Sequence, residues 1–194
     1  MRQFGWPRGV AGAAAGWVMA HRGSNRERNR WVVSLLDLRP TDRVLEVGFG
    51  PGIAVGEMAR VAGQVYGVDH SSVMLRAARR RNAAAVRAGR VSLFHAPVDR
   101  LPGLTGLDVI VSVNSLGFWP EPGERLRELR GLLRDGGRIA LASQPRCLGA
   151  SAETTERAGR ELSELLAAAG FVDLRTETLE LAPPVACILG TNRL

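Results

Sequence analysis

At 194 residues and a net charge of +7, the chain is long enough for one domain with a single core, whereas two independent domains would be cramped. Hydrophobic residues make up 45% and charged residues 23%, as in soluble globular proteins, and no apolar run approaches the roughly 20 residues that span a bilayer. All 26 basic residues are arginines, spread along the chain and often beside glutamates. We therefore expect a solvated surface and no nucleic-acid partner, with an anionic partner as the alternative.

Helical patterns and apolar runs alternate along the chain, which is typical of a parallel sheet covered by helices. In chain order, the first predicted helix begins at about residue 9 and the second covers residues 24–36. The third runs from a glycine turn after the first strand to about residue 61, and the others cover residues 71–87, 121–133 and 155–169. The predicted strands cover residues 44–47, 64–69, 91–94, 107–112, 138–142, 171–176 and 184–189. We expect Ser71 to cap one helix and Gly170 to end another. Residues 1–40 should form a helical appendage, and residues 41–194 one α/β domain.

The two cysteines indicate a reducing compartment. Cys147 and Cys187 lie far apart, with no CxxC or histidine-rich spacing that would predict a disulfide framework or a zinc site. We therefore expect a cytoplasmic protein that holds no metal. Residues 10–20 faintly resemble a signal peptide, but they are mostly alanine and glycine instead of leucine, so we interpret them as part of a cytosolic helix.

A glycine-rich turn follows the first predicted strand. Residues 44–52 read VLEVGFGPG, so the strand runs into Gly48, Gly50 and Gly52, where no Cβ keeps a ligand away from the backbone. The helix after this turn would direct its free N–H groups and the positive end of its dipole at the same place. The turn therefore predicts a ligand site, although dinucleotide-binding enzymes also use such a loop.

Two residues around this turn argue against a dinucleotide. The dinucleotide-binding fingerprint G-x-G-x-x-G needs a third glycine three residues after Gly50, and that position is Ile53. Glu46 lies at the strand end, where its carboxylate would repel a pyrophosphate and attract an ammonium group. S-adenosylmethionine carries an ammonium group and a sulfonium but no phosphate, so the charges favour it. Asp69 ends the second predicted strand, where a carboxylate can accept hydrogen bonds from both ribose hydroxyls.

These motifs resemble those of the class I, Rossmann-like S-adenosylmethionine-dependent methyltransferases. The resemblance covers roughly residues 28 to 190 and rests on segments 44–52, 67–69, 108–114 and 133–138 in the family's order. It implies a single three-layer domain with a seven-stranded, mostly parallel sheet, an antiparallel last strand and an N-terminal helical lid. It also implies that Glu46 and Gly48 hold the methionine moiety, that Gly50 and Gly52 shape the turn, and that Asp69 holds the ribose.

One segment departs from the family pattern. Related enzymes commonly have an aspartate that accepts a hydrogen bond from the adenine amino group, and that position here is Pro97. The backbone N–H of Val98 remains available to the ring, and Asp99 or His95 are candidates to replace the missing acceptor. We expect His70 to lie near the adenosine because it follows Asp69.

The segment after the fourth predicted strand should lie beside the reactive methyl group, as it does in related enzymes. Asn114 offers an amide to the methionine end of the cofactor or to the acceptor, and Phe118 and Trp119 would line the acceptor pocket. The alternative is that Asn114 only turns the chain while the two aromatic side chains pack beneath a loop.

The N-terminal appendage is the expected lid. Trp17, His21, Asn25 and Asn29 recur at four-residue steps and would share one helix face if the helix continues through Gly23. Because that face is polar and aromatic, we interpret Trp17, Asn25 and Asn29 as acceptor-binding residues. His21 and Asn114 are the catalytic candidates, with His21 as general base because its ordinary pKa lies near neutrality.

These features together predict methyl transfer from S-adenosylmethionine to a small-molecule acceptor by in-line displacement, leaving S-adenosylhomocysteine. In-line transfer needs an aligned nucleophile and the exclusion of water, but no metal. Two alternatives remain: a nucleic-acid methyltransferase that uses the arginine surface, and a non-methylating protein that keeps the cofactor fold. Ile53 and Glu46 argue against a nicotinamide enzyme.

Overall fold

A central sheet organises residues 23–193, the part of the chain that the computed structural model describes. Its seven strands follow the order β3-β2-β1-β4-β5-β7-β6. The strands are β1 (Arg43–Val47), β2 (Gln64–Asp69), β3 (Val91–His95), β4 (Leu107–Val113), β5 (Leu133–Ser143), β6 (Val172–Leu179) and β7 (Val185–Thr191). Strand β7 pairs antiparallel with both β5 and β6, whereas β1 to β5 pair in parallel. The predicted mostly parallel sheet with an antiparallel last strand is confirmed.

Helices cover both faces of this sheet. They are α1 (Gly23–Ser34), α2 (Ile53–Met58), α3 (Ser72–Arg81), α4 (Ala83–Arg87), α5 (Pro122–Leu132) and α6 (Ala152–Ala168). Alternate side chains of each strand point to opposite faces, so the sheet separates two apolar clusters. One cluster contains side chains from α1, α2 and α3, and the other contains side chains from α5 and α6. The predicted three-layer α/β architecture is confirmed.

The predicted helix over residues 71–87 is two helices in the structure. It is interrupted at Asn82, which is 7% exposed and ends α3. The Asn82 Nδ2 donates to the Gly52 carbonyl oxygen at 3.0 Å and to the Ala78 carbonyl oxygen at 3.0 Å. This interruption therefore ties the end of α3 to the glycine turn after β1. Ser71 caps α3 as predicted, accepting from the Met74 backbone N–H at 3.4 Å.

The fifth strand begins at Leu133 instead of the predicted residue 138, so the glycines at 136 and 137 lie inside β5. Gly136 has a φ of 70° and its N–H donates to the Asn192 carbonyl oxygen at 2.8 Å, while the Asn192 N–H donates to the Gly137 carbonyl oxygen at 2.7 Å. The strand continues through the glycines because the end of β7 supplies these partners, which the local sequence does not reveal. Gly170, with a φ of 90°, follows α6 as predicted.

Helix α1 packs against the domain instead of projecting from it. Val32 is fully buried and Leu36, just beyond the helix, is 2% exposed, both within the cluster that contains α2 and α3. The predicted helix from residue 9 and the candidate residues Trp17 and His21 lie outside the described residues. The lid function of residues 1–40 stays a prediction. Within residues 23–193, no helix is both long and apolar enough to cross a membrane.

The contacts of Asn82 lead to a stability prediction. In Asn82→Ala, the buried carbonyl oxygens of Gly52 and Ala78 lose a side-chain donor, so we expect the free energy of unfolding to fall by about 1–2 kcal/mol. Urea denaturation followed by circular dichroism measures this change. Arg80→Ala, at an exposed position of the same helix, is the control and should change the stability little. Equal stability of the two variants would show that the Asn82 bonds do not support the turn.

Candidate active site

A cleft of about 1080 Å³ opens at the carboxyl ends of β1, β2 and β4. The chain order reverses between β1 and β4 at this edge, and open α/β sheets bind ligands at such a point. Every described residue of the predicted site except Gly52 lines this cleft: Asn25, Asn29, Glu46, Gly48, Gly50, Asp69, His70, Val98, Asn114, Phe118 and Trp119.

The three glycines of the turn differ in what lies beside them. All three have positive φ: 79° at Gly48, 50° at Gly50 and 75° at Gly52. A Cβ at Gly48 would lie 2.3 Å from the Ser115 Cβ, and one at Gly52 would lie 2.7 Å from the Ala78 Cβ. Only at Gly50 would the added Cβ meet no described atom within 4 Å. Gly48 and Gly52 therefore admit the protein's own chain, and Gly50 leaves space for a ligand.

Ser115 joins the end of β4 to the end of β1, a role that the sequence did not reveal. Its Oγ donates to the Val47 carbonyl oxygen at 2.7 Å and accepts from the Trp119 Nε1 at 3.2 Å. The Ser112 Oγ lies 2.7 Å from the same Ser115 oxygen. Ser115 thus holds the segment after β4 against Gly48. A serine beside the candidate Asn114 gives no local signal of this contact, because the Val47 carbonyl oxygen that it reaches lies on another strand.

The Asp69 carboxylate bridges the two turns that border the cleft. One oxygen accepts from the Gly50 N–H at 2.8 Å, and the other accepts from the Ser71 N–H at 2.8 Å. Burial raises the pKa of Asp69, and these two hydrogen bonds partly oppose that shift. Each carboxylate oxygen retains a lone pair that can accept from a ligand hydroxyl. Asp69 therefore positions the glycine turn and can also accept hydrogen bonds from a ligand hydroxyl.

Glu46 is a buried carboxylate at the base of the cleft. It is 2% exposed, and its Oε2 has no hydrogen-bond partner among the described residues. Burial raises its pKa well above the ordinary value, and the nearby Asp69 charge raises it further. A ligand cation would compensate both effects by pairing with the ionised carboxylate. The site therefore suits an ammonium group.

Asn114 turns the chain after β4 and also leaves an amide donor without a partner among the described residues. Its φ of 56° turns the chain after β4, and its Oδ1 accepts from the Gln144 backbone N–H at 2.7 Å. Because that partner is a donor, the oxygen of the amide must face it. The Nδ2 is buried and has no partner among the described residues. Asn114 therefore offers one donor in the cleft.

The two aromatic residues lie in different environments. Phe118 is 54% exposed at the mouth of the cleft, whereas Trp119 is 8% exposed and belongs to the cluster with α5 and α6. Trp119 thus packs beneath the loop while one surface borders the cleft, and Phe118 is available to contact a ligand at the mouth.

The segment after β3 borders the cleft beside Asp69. Val98 is 8% exposed and anchors this segment in the core, and Pro97 and Asp99 line the cleft next to it. The His95 Nε2 lies 2.9 Å from the His70 carbonyl oxygen, and the His70 Nδ1 lies 4.0 Å from an Asp69 oxygen. His95 thus contacts the backbone beside the cleft, while His70 borders the cleft itself.

The fold and these groups together define a cofactor-binding α/β protein. Glu46 leaves a buried oxygen without a partner, Gly50 leaves open space, and Asp69 can accept from hydroxyl groups. This donor and acceptor set fits S-adenosylmethionine, which carries an ammonium group and ribose hydroxyls.

Known proteins that resemble this chain in sequence or structure include methyltransferases. The family described as "Methyltransferase domain" matches residues 44–137. An uncharacterized methyltransferase, YdaC of Bacillus subtilis (strain 168), is 31% identical over 175 residues, covering 89% of this chain and 93% of the relative. The N-methyltransferase NodS of Bradyrhizobium japonicum WM9, solved with S-adenosylhomocysteine, has a TM-score of 0.70 and 18% identity, covering 91% of each chain.

A further solved structure covers nearly all of the chain. It is the complex of a putative methyltransferase with the Trm112 methyltransferase activator of Haloferax volcanii, with a TM-score of 0.76 and 17% identity, covering 95% of this chain and 97% of that one. These two structural likenesses show the fold, and the YdaC relationship shows the family. The chain belongs to the class I S-adenosylmethionine-dependent methyltransferases, whose methyl donor is S-adenosylmethionine.

Removing the Asp69 carboxylate should loosen the glycine turn. In Asp69→Ala the N–H groups of Gly50 and Ser71 lose their acceptor, so we expect the free energy of unfolding to fall by about 1–3 kcal/mol. Affinity for S-adenosylhomocysteine should fall as well. Urea denaturation and calorimetric titration measure the two effects. Glu180→Ala, an exposed change of equal charge, is the control, and a variant Asp69→Ala that matches it in both measurements would contradict this role.

Replacing the Glu46 carboxylate should stabilise the free protein while weakening cofactor binding. A carboxyl group whose pKa is raised by folding stabilises the protein below its unfolded pKa, and this contribution is lost as the pH rises through the raised value. The neutral side chain of Glu46→Gln avoids that loss. We therefore expect the variant to melt at a higher temperature than the wild type at about pH 8, with a smaller difference at about pH 5.

The same Glu46→Gln variant should bind S-adenosylmethionine at least about tenfold more weakly, because an ionised partner of the ammonium group is lost. Thermal melting at the two pH values and calorimetric titration provide the test. Equal melting temperatures of the variant and the wild type at about pH 8 would show that burying the Glu46 carboxyl group does not destabilise the folded protein. Equal affinities for S-adenosylmethionine would show that Glu46 does not bind the ammonium group.

Proposed function

We propose that this methyltransferase acts on a small molecule that enters the cleft. The observation that supports this most directly is the size of the cleft. Its volume of about 1080 Å³ is close to that of ordinary ligand pockets, so the cofactor and a small acceptor would fill it. Asn25 and Asn29 of α1 are each 6% exposed and line it, so the acceptor would meet buried polar groups instead of an open surface.

We assign the cofactor contacts as follows. Glu46 binds the ammonium group, Asp69 accepts from the ribose hydroxyls, and Gly48 to Gly52 form the turn beneath the methionine moiety. The Val98 backbone N–H faces the adenine ring, with His70 beside the adenosine. When bound, S-adenosylmethionine supplies a methyl group on a sulfonium that a nucleophile can displace.

The residues after β4 and on α1 would then orient the acceptor. Asn114 presents its free Nδ2 donor, and the exposed Phe118 offers an aromatic surface in the lining of the cleft. Asn25 and Asn29 are linked, since the Asn29 Nδ2 donates to the Asn25 carbonyl oxygen at 2.6 Å. The same Nδ2 also lies 3.2 Å from the Asn25 Oδ1, so the two side-chain amides contact each other beside the proposed acceptor position. In our proposal Trp17 and His21 complete this side of the site, with His21 accepting a proton if the nucleophile carries one.

A nucleic-acid acceptor is the second candidate, since the fold brings together arginines that are separated in the sequence. A depression of about 650 Å³ is lined by Arg26, Arg30, Arg60, Arg81 and Arg90. Most of these guanidinium groups already have partners. Two pair with Glu57, Arg81 donates to the Pro51 carbonyl oxygen, and Arg90 donates to the Ala59 carbonyl oxygen. These contacts favour a structural role for the cluster over phosphate binding.

The purified chain should bind its cofactor without a partner protein. We expect calorimetric titration to give micromolar affinity for S-adenosylmethionine and S-adenosylhomocysteine, or native mass spectrometry to find cofactor that co-purifies. A folded sample that binds neither compound would contradict the proposed function.

The acceptor class is tested separately. Incubation with methyl-labelled S-adenosylmethionine should transfer label to small molecules of a cell extract and not to RNA or DNA. Label in nucleic acid, together with binding that weakens steeply with salt, would replace the small-molecule proposal with the second candidate. Cofactor binding without any labelled product would favour a non-methylating protein.

A further inference from the structure

A buried cation in the cleft has no anionic partner. Arg28 of α1 is 3% exposed, and it lines the cleft together with Glu46 and Asn114. The sequence alone does not distinguish Arg28, because it is one of 26 arginines and is not part of the four-residue pattern that includes Asn25 and Asn29. Arginine is rarely buried unless it is paired with an acidic group.

The hydrogen bonds of Arg28 all go to neutral amides. Its Nη1 donates to the Gln144 Oε1 at 2.5 Å, and its Nη2 donates to the Asn25 Oδ1. The Nε is buried without a partner among the described residues. A guanidinium carries five N–H donors, so this arrangement leaves part of its donor capacity unused.

No carboxylate side chain of the protein neutralises this charge. None of the ion pairs within residues 23–193 includes Arg28, and the sequence of residues 1–22 contains neither aspartate nor glutamate. The charged side chain that acts on Arg28 is also a cation: Arg146, which lines the same cleft. Burial, together with the positive charge of Arg146, lowers the pKa of Arg28 to about 9.

The amides around Arg28 hold its side chain in place. The Gln144 Nε2 donates to the Pro183 carbonyl oxygen at 2.8 Å, which directs the Gln144 oxygen at Arg28. The Asn29 Nδ2 donates to the Asn25 carbonyl oxygen at 2.6 Å and lies 3.2 Å from its Oδ1, which fixes the second acceptor. The guanidinium is therefore preorganised while its charge stays uncompensated. A buried charge without a counter-ion is unfavourable, so a bound anion would stabilise this arrangement.

We propose that Arg28 binds a carboxylate group of a ligand in the cleft. This inference rests on the proposed function and extends it to a residue that recognises charge. Glu46 and Arg28 do not pair with each other among the described ion pairs, so the cleft offers one buried site for a cation and another for an anion. The carboxylate comes either from the methionine end of the cofactor or from the acceptor. The two sources share the same chemistry, a planar oxyanion that accepts two N–H bonds from the guanidinium fork.

The first experiment separates these sources by titrating the wild-type protein with S-adenosylmethionine and with decarboxylated S-adenosylmethionine. If the cofactor supplies the carboxylate, the decarboxylated form should bind at least about tenfold more weakly to the wild type. That difference should disappear in Arg28→Met, which removes the charge while keeping an unbranched side chain. Arg28→Lys keeps the charge but loses the planar fork of N–H donors. Its difference in affinity between the two cofactor forms should therefore lie between those of the wild type and Arg28→Met.

The second experiment applies if the wild type binds both cofactor forms equally. With S-adenosylhomocysteine saturating, acetate and benzoate are titrated against the protein at constant ionic strength, with acetamide and benzamide as neutral counterparts. An acceptor carboxylate site predicts that the acids raise the melting temperature of the wild type and that the amides do not. Arg28→Met should lose this response.

Arg30→Met is the matched control, since Arg30 is an exposed residue of the same helix that does not line the cleft. It should behave as the wild type in both experiments, and circular dichroism confirms that each variant is folded. A wild type that binds both cofactor forms equally and shows no response to either acid overturns the Arg28 inference alone. A wild type that binds no form of the cofactor overturns the proposed function, and the inference falls with it.

Discussion

The position of the cleft depends on one carboxylate that accepts from two backbone turns. The glycine turn after β1 and the start of α3 after β2 are separate in sequence, and Asp69 joins them through the N–H groups of Gly50 and Ser71. On the other side, Ser115 holds the segment after β4 against Gly48. These contacts bring three strand ends to one edge and keep it open. Gly48 and Gly52 are needed because the Ser115 and Ala78 side chains approach them closely.

The protein buries two ionisable groups in this cleft without giving either an oppositely charged partner among the described residues. Glu46 and Arg28 are both almost fully buried, and each has a polar atom without a partner among the described residues. Folding therefore carries an unfavourable contribution that a ligand of complementary charge would remove. Since a ligand that binds only the folded state stabilises it, the free and bound forms should differ clearly in stability. Binding of such a ligand would offset the unfavourable free energy of burying these groups, which would contribute to affinity and to selectivity for charge.

The fold of this chain is shared with known structures of low sequence identity, and α1 adds buried polar groups to the cleft. Structures only 17–18% identical have TM-scores of 0.70 to 0.76, so the architecture tolerates almost complete replacement of its residues. Fold alone therefore does not determine the acceptor. Asn25, Arg28 and Asn29 come from α1 and line the cleft, which is why our proposal assigns recognition of the ligands partly to α1.

The sequence by itself determined the order and the approximate bounds of the strands, the glycine turn, and the placement of Glu46 and Asp69 at strand ends. These follow from short-range rules: apolar runs form buried strands, glycine allows positive φ, and the carboxyl ends of parallel strands meet at one edge. The tertiary structure decided the interruption at Asn82, the glycines inside β5 and the roles of Ser115 and Arg28. Each depends on a partner distant in sequence, as for Arg28 and Gln144, which are 116 residues apart. Local patterns carry no information about such partners, because folding alone brings them together.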